Sequence, residues 1–154
     1  MDIDTFLSAN KSMVIAPAGF GKTYTIAECI ASYRGEKRVL VLTHTHAGIA
    51  SLKEKFRLKN IPSSTYQLET ICGFALNLVK AYHLNKDEIP SLSDAGSLFH
   101  FAIEHATKIL KALPIKKYLA IKYDHLIVDE YQDCTVGPVS YTHLRAHETS
   151  LHLV

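Results

Sequence analysis

Two short stretches of this 154-residue chain carry residue types that together could grip a phosphate chain and direct water at it. The first is Ala16-Pro17-Ala18-Gly19-Phe20-Gly21-Lys22-Thr23, which follows a short apolar run and precedes a helical pattern. That context turns a glycine-rich string into a phosphate cradle. Gly19 and Gly21 let backbone N–H groups turn toward phosphate oxygens, and the helix behind them offers its positive end to the same anion. Lys22 is expected to reach the outer phosphates, and Thr23 to offer its hydroxyl to a magnesium ion. Ala16 departs from the general pattern, which has glycine there.

The second stretch is Leu126-Ile127-Val128-Asp129-Glu130-Tyr131-Gln132-Asp133. Three apolar residues deliver two carboxylates to the carboxyl end of a strand, where ligands of open α/β sheets bind. Asp129 is expected to hold magnesium through water. Glu130 is placed to orient or deprotonate an attacking water, which implies hydrolysis rather than binding alone. Alone, the acidic run could be a polar turn after a strand; a phosphate loop upstream makes the pair more specific than either part.

The elements that must position these residues follow from hydrophobic spacing. Ser12 to Ala16 reads as a buried strand, and Ile26, Ile30 and Tyr33 recur at helical spacing over Lys22 to Tyr33, with Gly35 at the expected C-terminal cap. Val39 to Leu42 reads as a parallel strand buried on both faces. Residues 46 to 58 give an amphipathic helix with Ile49, Leu52 and Phe56 on one face and lysines and Arg57 on the rest. Tyr66 to Leu68 is a weaker strand, and Thr70 caps a strongly periodic helix through Tyr82. Helical patterns from Ser93 to Leu113 and from Lys116 to Ile121, separated by Pro114, precede the strand Leu126 to Val128. Alternating βα units imply a parallel sheet with helices on both faces.

Composition narrows the class without naming a ligand. A hydrophobic fraction of 47% against 21% charged fits a globular core rather than disorder, and a formal net charge of +2 gives no compositional sign of a nucleic-acid partner. Cys29, Cys72 and Cys134 form no CxxC pair or even framework, so a reducing, cytoplasmic setting is expected. No apolar run approaches the roughly 18 residues that span a bilayer, so no membrane partner is expected.

APAGFGKT, then LTHTHAGIASLKEKF, TICGF and VDEYQDC, in that order, resemble the motifs of the UvrD/Rep-like superfamily 1 DNA helicases over most of residues 12 to 135. That family also carries alanine at the place of Ala16. The resemblance implies a P-loop NTPase of RecA-like fold using ATP and Mg2+, with Lys22, Glu130 and Gln132 as catalytic residues. Gln132 matches a glutamine that senses the γ-phosphate. It further implies single-stranded DNA contacts from Thr43, His44, Thr45 and His46 and from a second segment that includes Thr70 and Phe74. His44 and His46 stand where an aromatic residue and an asparagine are common, and Cys72 where histidine is usual. No glutamine precedes the phosphate loop, where the family often uses one to read adenine.

The resulting expectation is an ATP-binding and hydrolysing fragment of a DNA-translocating helicase, incomplete and inactive as a helicase by itself. Residues 1–84 and 122–138 would belong to the RecA-like domain and 85–121 to a short helical insertion. Single-stranded DNA would be engaged through the complete parent protein, and a missing second RecA-like domain would be required for activity, because an arginine brought from another domain can be worth about a thousandfold in phosphoryl transfer. Residues 139–149 resemble a translated sequencing adapter, and 139–154 are expected to be a non-native, poorly packed tail. A P-loop kinase and a non-enzymatic nucleotide-dependent binding module remain as alternatives.

Overall fold

The computed structural model describes residues 11–14, 21–129 and 150–153. In chain order the elements are β1 (Lys11–Val14), α1 (Lys22–Ser32), β2 (Arg38–Thr43), α2 (His46–Leu58), β3 (Tyr66–Thr70), α3 (Ile71–Tyr82), a 3-10 turn (Lys86–Glu88), α4 (Ala95–Ile109), α5 (Leu113–Lys122), β4 (Tyr123–Val128) and β5 (Ser150–Leu153). The five strands form one all-parallel sheet in the order β1-β5-β4-β2-β3. All carboxyl ends therefore point to one rim.

Strand β2 explains the two-faced core. Val39 through Thr43 are buried without a break, because helices cover both sides and neither side chain parity meets water. Val39 and Val41 join Ile127 of β4 beneath α1 and α2, packed against Ile26, Ile30, Leu52 and Phe56. Leu40, Leu42 and Val128 face the other way, into a cluster built by α3, α4 and α5. Residues 85–121 do not form a separate core, since Leu98, Ala102, Ile103, Ala106 and Ile115 share that second cluster with the sheet.

Several boundaries differ from the sequence expectation for identifiable reasons. Helix α1 ends at Ser32, and Tyr33 turns extended at φ −63°, ψ 133° instead of continuing to a Gly35 cap. The Tyr33 hydroxyl folds over Gly35 to donate to the Lys37 carbonyl at 3.0 Å and bonds Asp124 of β4 as well. A Cβ on Gly35 would lie 2.0 Å from that hydroxyl, so the glycine provides clearance, not a left-handed cap. Pro114 does not interrupt a helix but opens α5 in its first turn, where a missing N–H costs nothing. Strand β4 begins at Tyr123, three residues before the apolar run. Asp124, which also takes an ion pair from Lys37 at 3.1 Å, ties that polar amino end to the turn after α1.

The largest difference is at the carboxyl end. Residues 150–153 pair with β1 on one side and β4 on the other, in parallel register through Lys11↔Ser150 to Val14↔Leu153 and Leu126↔Ser150 to Val128↔His152. The expected tail thus contains four residues whose backbone is strand-paired on both sides. Their backbone satisfies hydrogen-bonding groups of both neighbours that would otherwise face an open slot in the sheet. Among the described residues, no helix is long and apolar enough to cross a membrane.

Candidate functional site

Three helices start from the carboxyl rim, and their N-termini are built differently. Helix α2 is capped by Thr45, whose Oγ1 accepts from the Gly48 N–H at 3.0 Å; α3 is capped by Thr70, whose Oγ1 accepts from the Gly73 N–H at 2.9 Å. Helix α1 has no side-chain cap and no acidic residue in its first turn. Its cap position is Gly21, left-handed at φ 80°, ψ 21°, a conformation that favours glycine over any L side chain. The positive end of α1 is thus left to an external anion, with Lys22 and Thr23 in the first turn.

Across the same rim, Asp129 follows β4 directly and is 5% exposed. Its N–H donates to the Leu42 carbonyl at 2.8 Å, which extends the β4–β2 ladder one step past Val128 and fixes the carboxylate's place. Ile127 points under α1 and α2, so the alternation of the strand directs Asp129 to the same face as the α1 N-terminus. The strands that deliver the two clusters are not neighbours: β5 lies between β1 and β4, so they stand two strand spacings apart, roughly 10 Å. A magnesium ion usually keeps several waters and takes few protein ligands plus substrate phosphates, so Thr23 and Asp129 need not both touch it directly. A buried carboxylate on the same rim as an uncapped helix start that carries a threonine hydroxyl is a donor set that suits a Mg-nucleotide. Ala16, Pro17, Ala18, Gly19 and Phe20 of the loop, and Glu130 and Gln132 beyond β4, lie outside the described residues.

The residues expected to touch DNA divide by location. His46 is exposed as the first residue of α2, and His44 is half-buried. Thr45 is exposed, while Thr70 is partly buried; both hydroxyls already serve as helix caps. Thr43 is fully buried, and Phe74 at 7% exposure packs in the core with Leu40, Leu42 and Leu78. Thr43 lies under the first turn of α2, and Phe74 is on the inward stripe of α3. In the register Thr43 pairs with Thr70, so both stand at the same level as Asp129.

Gly48 was not singled out by its sequence pattern. A Cβ there would come 2.4 Å from Thr43 Oγ1, so glycine is what lets α2 start so close to β2. A pocket of about 210 Å³ lies on the other face of the sheet, along the edge strand β3 between α3 and α5. Its polar groups satisfy one another, with Tyr123 donating to Gln67 at 2.7 Å and Asn77 to Glu69 at 3.1 Å.

A family model described as an AAA domain matches residues 2–154. No curated protein matches the chain.

Proposed function

Because the chain belongs to the AAA domain family, a nucleotide-binding P-loop group, we propose that it is the ATP-gripping and ATP-hydrolysing part of a motor that acts on single-stranded DNA. The observation that carries this reading is the pairing on one rim of the uncapped, lysine-bearing start of α1 with the buried carboxylate of Asp129. Lys22 and the first-turn N–H groups would hold the β- and γ-phosphates, and Thr23 and Asp129 would hold magnesium, whose chemistry is to neutralise charge building on the phosphates. Glu130, next in the chain after Asp129, would orient the attacking water, and Gln132 would sense the γ-phosphate. The DNA part rests on the resemblance of the segments at Thr43–His46 and Thr70–Phe74 to a helicase family. With Thr43 and Phe74 buried, the contacts would come from His44, Thr45, His46 and Thr70. An arginine from a second motor domain would be needed for fast turnover.

ATP hydrolysis by the chain, with and without single-stranded oligonucleotide, tests this directly. Slow hydrolysis stimulated by DNA and abolished by Lys22→Ala and Glu130→Gln is expected. Hydrolysis that DNA leaves unchanged would remove the DNA-motor reading, and failure of either substitution to reduce it would remove the assigned roles.

A further inference from the structure

Thr43 closes β2 with 0% exposure, and among the described residues its Oγ1 has no hydrogen-bond partner. An unsatisfied buried hydroxyl is unfavourable, and valine would fill the same space without it. Packing therefore explains a β-branched residue here but not an oxygen.

The neighbour that an oxygen could serve is Asp129. Leu42 pairs with Val128, so Thr43 stands level with Asp129 on the adjacent strand. Val41 and Ile127, two residues earlier in each strand, both lie in the cluster under α1 and α2. By alternation, the Thr43 and Asp129 side chains project to that same face, one strand spacing apart, roughly 4.8 Å. Both are buried, and the bare Cα of Gly48, where a Cβ would be 2.4 Å from Oγ1 and 3.3 Å from Cγ2, leaves the threonine room to turn.

We propose that Thr43 is a positioning residue of the magnesium site: its hydroxyl donates to the Asp129 carboxylate and fixes which carboxylate oxygen is offered to the metal's water shell. The inference rests on the Mg-nucleotide reading of Asp129. It moves Thr43 from the DNA-facing set to the nucleotide side of the rim. Partners of this kind, one bond removed from a metal, typically change metal affinity 10- to 100-fold.

Titration of the full chain with a fluorescent ADP analogue, with and without Mg2+, tests it in the wild type, Thr43→Val and Thr43→Ser. The Val variant is expected to lose about 10- to 100-fold of the magnesium-dependent gain in affinity. Its magnesium-free affinity should be unchanged and its unfolding temperature equal or higher; the Ser variant should regain the magnesium dependence. Wild-type magnesium dependence in Thr43→Val, equal losses with and without magnesium, or a lowered unfolding temperature would each overturn the assignment. A wild-type chain that binds nucleotide with no magnesium dependence would instead bring down the Mg-nucleotide reading itself, and the role of Thr43 with it.

Discussion

Substituting Gly48 by alanine should damage this fold through a single contact. In a helix interior that change ordinarily stabilises by about 0.8–1.0 kcal/mol, because alanine restricts the unfolded chain and suits the helix. Here the new methyl would lie 2.4 Å from Thr43 Oγ1 and 3.3 Å from its Cγ2. Thr43 is fully buried at the end of a strand paired on both sides, so its backbone cannot move away without shifting β2 or α2, and a methyl on Gly48 would take the space in which its side chain can turn. Overpacking of this kind costs about 1–3 kcal/mol, and a contact this short belongs at the upper end, leaving a net loss of about 2 kcal/mol after the helix gain. At the usual scaling for a domain of this size, that is a fall of roughly 4–8 °C in unfolding temperature. The decisive control is the same substitution in a Thr43→Ala background. There the two crowding atoms are gone and only the Thr43 Cβ, 3.4 Å away, remains. Gly48→Ala should then stabilise by up to about 1 kcal/mol, a coupling of about 3 kcal/mol in a double-mutant cycle read by urea denaturation. A neutral or stabilising Gly48→Ala in the wild type, or an equal penalty in both backgrounds, would refute the close-approach argument.

The two capping threonines can be separated from any DNA role, because aspartate caps a helix as well as threonine does. Thr45→Asp and Thr70→Asp should leave thermal stability within about 0.5 kcal/mol while weakening oligonucleotide binding through charge repulsion, as measured by fluorescence anisotropy; unchanged binding would show that both residues are caps alone. Burial holds the His125 imidazole below its ordinary value, with Asp124 pulling the other way. The folded protein therefore resists protonation that the unfolded chain accepts. Its contribution to stability is complete above the unfolded value of about 6.5 and is lost as pH falls through it. Denaturation at pH 7.5 and 5.5 should show a smaller drop for His125→Phe than for the wild type, and an equal drop would count against this assignment.

How far the sequence could be read depended on the range of the interaction responsible. The continuous apolar run Val39–Leu42 and the helical spacing of Ile71, Phe74, Leu78 and Tyr82 are local patterns, and both elements stand where those patterns place them. Asp129 was legible because a strand must end somewhere, and carboxylates after three apolar residues mark the rim. Long-range contacts left no such trace. Tyr33 reaching Asp124, 91 residues away, set the end of α1 and the start of β4. The same reach gave Gly35 a clearance role that resembles a cap in sequence. Thr45 and Thr70 carry the signature of helix caps and the resemblance to DNA contacts at once, and residue type alone cannot separate the two. Thr43 and Phe74 match the motif positions, and both are buried in the chain, which the motif alone does not encode. Strand β5 was illegible because four residues with two leucines are too short a signal, and only the slot between β1 and β4 gives them a place.

The most direct measurement is a crystal structure of the chain bound to Mg2+ and a non-hydrolysable ATP analogue. The account predicts the β- and γ-phosphates against the N-terminus of α1 with Lys22 beside them, and the metal between the Thr23 hydroxyl and the Asp129 carboxylate. A nucleotide bound elsewhere, or an Asp129 too far from the phosphates to share a metal water with Thr23, would contradict it.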